Sequence, residues 1–287
     1  ACRAFQMPTQ QALVPMLVPP ALLERAVTLS TTGMQAAIIC GPAFGGAIYV
    51  AGAAKVYGTC TALMLLAFAL MQGVHDQYQP SKEKTTLSSI LAGVAFVWNS
   101  KLLLGATSLD LFAVLLGGAT ALLPIYARDI LHTGPQGLGL LRAAPAAGAL
   151  IMSALMLRWP IRRKVGPWLM SSVAIFGLAT VVFGLSEHFG LSLIALAITG
   201  AFDNISVVMR QTLVQLETPN EIRGRVSAVN SIFIGASNQL GEFESGATAA
   251  LFGPVGSVVM GGVGTLLVAA IWIRLFPALA RRDRMMG

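Results

Sequence analysis

At 287 residues, 55% hydrophobic and only 11% charged, with a mean hydropathy of +0.74, the chain has too few polar groups to cover a water-soluble domain and reads as a membrane protein. Its net charge of +7 comes from basic residues scattered over short loops with no aromatic interleaving, which argues against a nucleic-acid-binding face. Cys2, Cys40 and Cys60 all lie in apolar segments without metal-ligand spacing, so neither a disulfide nor a metal site is expected.

Arg3 to Val18 reads as a membrane helix entered partway along, broken by Pro8 and Pro15. Ala26 to Val50 and Ala54 to Gly73 follow as spans, each long enough to cross a hydrocarbon core about 30 Å thick. Val74 to Thr86 is the long polar stretch and marks a linker. Leu87 to Asn99 places Leu87, Ile90, Leu91, Val94 and Trp98 at the spacing of one helical face, which suits a helix lying on the membrane surface. Further spans are expected at Leu102 to Ala127, Leu138 to Leu157 and Val165 to Leu185. Two more lie in the apolar hairpin from Leu196 to Ala250, and a last one at Val255 to Ile273 after a turn at Pro254. The division is therefore 1–73, the remainder of a first half; 74–100, a linker with an amphipathic helix; and 101–287, a six-helix second half.

The segment from Gln11 to Ala47 repeats Gln211 to Ala247 at a fixed offset, with Gln11/Gln211, Pro19/Pro219, Arg25/Arg225, Gly41/Gly241 and Gly46/Gly246 among the identities. Pro, Arg and Gly at matching loop and helix positions point to a parallel internal duplication of the kind that builds two-fold transporters. Position 1 then corresponds to the interior of a helix, so about 100 residues of the first half are expected upstream. Arg25, Lys82, Lys84, Lys101, Arg158, Arg162, Arg163, Lys164, Arg223, Arg225, Arg274, Arg281, Arg282 and Arg284 fall on one side of the expected topology, against Lys55 and Arg128 on the other. That asymmetry makes the first side cytoplasmic and puts both termini inside.

Charges inside spans are costly in hydrocarbon and must face a partner or water. They are Asp110, Arg142, Asp203, Arg210, Glu242 and Glu244, with Arg3 in the first helix. Asp203 and Arg210 are seven apart and share a helical face, and Asp110 is placed to pair with Arg210. Either these groups carry out coupling, or they form static ion pairs that hold helices together. Arg142 with Glu242 or Glu244 suits a lock or gate between halves. Thr218-Pro219-Asn220-Glu221 fits a capping box opening a short helix, with Glu221 and Arg225 four apart. Arg223 and Arg225 then act as topology anchors or as parts of a gate. The loop from Arg158 to Gly166 is strongly basic but contains no acid, so no ion pair is expected within it. No nucleotide-binding loop and no hydrolase constellation is found.

Arg3-Ala4-Phe5 with Pro8, the run Leu123 to Leu131, Gly137 to Pro145, Arg223-Gly224-Arg225-Val226-Ser227 and Gly241 to Gly246 together resemble the major facilitator superfamily. The likeness is to its enterobactin-exporter-like branch, the transmembrane secretion effector proteins. The resemblance implies an all-α membrane fold, nine of twelve transmembrane helices being present as helices 4 to 12. It also implies that Arg3, Asp110, Asp203 and Arg210 line a central cavity. Gly41-Pro42-Ala43-Phe44-Gly45-Gly46 looks like the antiporter signature of proton-coupled efflux members, in which small residues admit a neighbouring helix and the proline bends its own. A generic packing kink is the structural alternative.

The expectation is thus a secondary transporter in a bacterial inner membrane, monomeric, exporting a small molecule such as a siderophore or drug-like compound against a proton gradient. Such a protein is not an enzyme and needs no cofactor or nucleic-acid partner. The alternatives are an importer of the same fold and a membrane scaffold or sensor that transports nothing.

Overall fold

The computed structural model describes residues 23–73, 87–159, 161, 163–219 and 222–284. It divides into two compact units, Ala1–Lys84 and Thr85–Gly287. In the first unit, α1 (Leu23–Tyr49) and α2 (Ala53–Gln72) pack against each other across a tight turn that Gly52 closes at φ 110°. No residue of α2 is buried, and Leu63, Leu65 and Phe68 are all exposed. A helix this apolar and this uncovered is stable only against lipid or further protein.

Among its described residues the second unit consists of helices joined by short non-helical turns. It contains α3 (Leu87–Asn99), α4 (Lys101–Leu116), α5 (Pro135–Arg158), α6 (Val165–Leu185), α7 (Phe189–Glu217), α8 (Arg223–Leu275) and the short α9 (Pro277–Ala280). Among the described residues of the whole chain, six runs are long and apolar enough to cross a membrane: Ala53–Gln72, Lys101–Ile130, Pro135–Arg158, Val165–Leu185, Phe189–Glu217 and Arg225–Leu275.

Two of these runs are not simple helices. The single span expected over Leu102 to Ala127 breaks after Leu116 at Gly117 and Gly118, then continues as a 3-10 turn (Ala119–Leu122), one α-helical step (Leu123–Ile125) and a π turn (Tyr126–Ile130). The break sits where α4 meets α8 backbone to backbone. A Cβ at Gly118 would lie 2.7 Å from the Gly241 carbonyl oxygen, and one at Gly241 would lie 2.9 Å from that of Val114.

The second is α8, which is two membrane lengths joined at Gly253, whose φ of 76° and ψ of 164° are not helical. The Ser257 hydroxyl donates to the Ser245 carbonyl at 3.0 Å and lies 2.7 Å from the Thr248 hydroxyl. Twelve residues of straight helix would part Ser245 from Ser257 by about 18 Å, so the two arms fold back on each other. The turn expected at Pro254 is this one, displaced by one residue onto the glycine that tolerates positive φ.

Packing in the second unit pairs α5 with α7, α6 with α7 and α8, and α4 with α8. Two apolar clusters result. One gathers Leu109, Leu169, Val173, Ile205, Met209, Val268 and Trp272; the other gathers Leu123, Tyr126, Leu141, Phe183, Leu196 and Val258. Tyr126 stacks on Phe183 at 4.6 Å between ring centroids and donates to the Gly184 carbonyl at 2.9 Å. Between the two clusters, Phe176 and Thr180 of α6 and Thr199, Gly200 and Asp203 of α7 line a cavity.

Of the expected stripe of α3, the side chains of Leu87, Ile90 and Leu91 lie outside the described residues, Val94 is half-buried and Trp98 is exposed. Gly93 and Val97 point into the bundle while Trp98 is 69% exposed. Val97 joins Leu103, Val214 and Val226 in a third small cluster, and Gly93 lies against the backbone of Arg225. The Thr218 hydroxyl donates to the Val214 carbonyl at the end of α7, and Asn220 and Glu221 of the expected capping box lie outside the described residues.

The basic loop before α6 finds its acid elsewhere in the chain. Asp283 accepts from the Lys164 backbone N–H at 3.2 Å and from Arg163 Nε at 3.4 Å. The Gly166 N–H donates to the Arg282 carbonyl at 2.9 Å, and Arg282 pairs with Glu217 at the end of α7. The first turn of α6, whose N–H groups lack partners within the helix, is thereby closed by the segment after α9.

Candidate functional site

The middle of α7 carries Thr199, Asp203, Ser206 and Arg210, spaced four, three and four apart in an otherwise apolar helix. That spacing draws one polar stripe along a single face. The stripe is set deep because α5 and α7 meet without side chains between them: a Cβ at Gly200 would strike the Pro145 backbone, and one at Gly148 would strike that of Ala197. Asn204, next to Asp203, is tied to α5 by donating to Ser153 at 3.0 Å.

Arg210 is 2% exposed and Asp110, on α4, is 5% exposed. Arg210 Nη1 pairs with Asp110 Oδ2, while Arg210 Nε has no hydrogen-bond partner among the described residues. A buried guanidinium keeps its charge, so Asp110 is the group that balances it. Asp203 forms no ion pair or side-chain hydrogen bond among the described residues.

Asp203 stands at the junction of two cavities. The larger, about 180 Å³, is walled by Val114, Pro145, Phe176, Phe183 and Leu196, with Thr120, Thr180, Thr199, Asn238 and Glu242 as its other polar groups. The smaller, about 10 Å³, is lined by Asp110, Ser172, Asp203 and Ser206 together with Val173, Phe176 and Phe202. A space of that size holds about one water. Ser172 donates to the Leu169 carbonyl at 2.8 Å. Ser206, 4% exposed, makes no side-chain hydrogen bond among the described residues.

The remaining candidates are more dispersed. Glu242 lines the larger cavity, and Glu244, on the same helix, is half-buried outside it. Arg142 on α5 is exposed, and among the described residues no ion pair joins it to either glutamate. Pro42 lies inside α1, and Cβ atoms at Gly41 or Gly45 would meet nothing within 4 Å among the described residues. Cys40 and Cys60 are free and exposed. Arg225 is exposed at the start of α8. Arg3 and Glu221 lie outside the described residues, as does the side chain of Arg223. No cluster of His, Cys, Asp or Glu fit to hold a metal occurs among the described residues.

Reading single charges in spans missed Ser172, Ser206, Thr180, Thr199 and Asn238. For Thr199 and Ser206 the signal was nonetheless present, as small polar residues at helical spacing with the charges of α7; Ser172 and Thr180 on α6 and Asn238 on α8 carried no such signal.

The model of the Major Facilitator Superfamily matches residues 1–242. The chain belongs to this superfamily. Its members are transporters, and this one is a multi-pass membrane protein. It is 27% identical over 276 residues to the enterobactin exporter EntS of Citrobacter koseri and 25% identical over 276 residues to that of Escherichia coli O1:K1; each alignment takes in 94% of this chain. It is 28% identical over 262 residues to the multidrug efflux pump Tap of Mycobacterium bovis, an alignment taking in 87% of this chain. The aligned region spans 65% of the length of the two exporters and 61% of the pump.

Proposed function

We propose that this superfamily member exports a small organic compound across a bacterial inner membrane, with both termini in the cytoplasm, by alternating access coupled to inward proton flow. The observation that carries the reading is Asp203, an acid without an ion-pair partner among the described residues, on the wall shared by a cavity of about 180 Å³ and a water-sized one that also holds Asp110. A proton-coupled exporter needs a carboxylate that alternates between protonated and ionised forms as the cavity changes sides. Asp110, held by Arg210, is the poorer candidate, since protonating it leaves a buried guanidinium unbalanced. Export over import is favoured by the relatives, which are named an exporter and an efflux pump, and by the Gly41, Pro42, Gly45, Gly46 arrangement in α1. The excess of Lys and Arg on one side of the spans supports the orientation.

The test is efflux by the intact protein in proteoliposomes under an imposed pH gradient. Asp203→Asn is expected to abolish gradient-driven export while leaving insertion and the melting profile intact. Full gradient-dependent export by that variant would reduce Asp203 to a structural group.

A further inference from the structure

The larger cavity carries charge of one sign among its described residues. Its fifteen described lining residues include two carboxylates, Asp203 and Glu242, and among them there is no Lys, Arg or His. The nearest buried cation on the same helix as Asp203 is Arg210, which lies outside the lining and is paired with Asp110. Arg142, the other charge of α5 within its span, is exposed and also outside the lining. Ser206, a buried residue that lines the small cavity beside Asp203, makes no side-chain hydrogen bond among the described residues. An anion entering here would shed its water against two acids, whereas a cation would find both of them and the ring of Phe176 or Phe183.

Resting on the exporter reading, we propose that this half of the transporter receives the positively charged, ring-bearing end of an amphiphilic cation, with Glu242 as the residue that selects charge. At about 180 Å³ the cavity is smaller than the roughly 300–1,000 Å³ of pockets that enclose drug-sized ligands, so it takes one end of the molecule. Thr120, Thr180, Thr199 and Asn238 supply neutral hydrogen-bonding groups that do not discriminate by charge. Asp203 serves both cargo and proton; Glu242, on α8, is free to act on cargo alone.

The experiment titrates the intact protein, purified in detergent, with three aromatic probes: ethidium as a monocation, 2,3-dihydroxybenzoate as a monoanion and catechol as a neutral ring. Ethidium is expected to bind at least about tenfold more tightly than 2,3-dihydroxybenzoate. Glu242→Gln is expected to weaken ethidium about tenfold while leaving catechol unchanged. Asn238→Asp, which adds a third acid to the wall without removing one, should move the two charged probes further apart and keeps the inference testable if Glu242→Gln does not fold. Tighter binding of the anion, binding of neither charged probe, or a preference for ethidium that neither variant shifts would overturn it. Binding in detergent is independent of transport direction, which separates the two readings. A cation preference without gradient-driven efflux removes the exporter reading alone, and efflux with an anion preference removes this inference alone.

Discussion

Arg210 cannot shed its charge, so its place at 2% exposure in a membrane-length helix depends on Asp110. Removing one member of a buried pair costs more than removing both, because the survivor is left unbalanced. Arg210→Ala should therefore destabilise the folded protein by about 3–5 kcal/mol. The double variant Arg210→Gln with Asp110→Asn should recover a large part of that loss, read as melting in detergent. If the double variant melts no higher than the single, the pair is not what holds these helices together. The sequence was informative here because a charge in an apolar run is conspicuous; Asp203, Arg210 and Asp110 stand out by type alone. The serines of the small cavity do not, since one hydroxyl costs little in a membrane helix and its depth is decided by the helices opposite.

At the scale of the helix, the site is shaped less by the polar residues than by the small ones that let helices close on it. Gly200 and Pro145 bring α7 onto α5, and Gly118 and Gly241 bring α8 onto α4. Gly200→Val would drive a branched side chain into the Pro145 backbone and should cost about 1–3 kcal/mol. It should also lower cargo binding by moving Asp203 away from the Pro145 wall. Unchanged melting together with unchanged ethidium affinity would show that the α5–α7 approach does not set the cavity. Element positions were largely legible from hydrophobic length, as α3, α6 and the turn near Pro254 illustrate. The break in α4 was not, because a pair of glycines in an apolar run is compatible with a continuous helix until its neighbour is known.

Across the whole molecule, the repeat in the sequence has a counterpart in the secondary structure. Residues 23–47 and 223–247 are both helical, and a positive-φ glycine follows each stretch, at Gly52 and, one residue out of the repeat's register, at Gly253. An experimental structure of the intact protein should superpose residues 23–47 on 223–247 by one rotation about an axis near the membrane normal. An inverted relation between them would remove the duplication and the argument built on it.

The closure of the first turn of α6 by Asp283 and Arg282 bears on the order in which the protein is made. The Lys164 N–H waits for a partner 119 residues further along, which at about 5–20 residues per second reaches the ribosome exit some 6–24 s later. During that interval α6 is already in the bilayer with its opening amides and the charges of Arg163 and Lys164 facing the aqueous side, and α7 has not yet engaged Glu217 with Arg282. The bundle therefore reaches its final form by a late docking event, after insertion of its helices, and until then the end of α6 is held in place only by water and lipid headgroups.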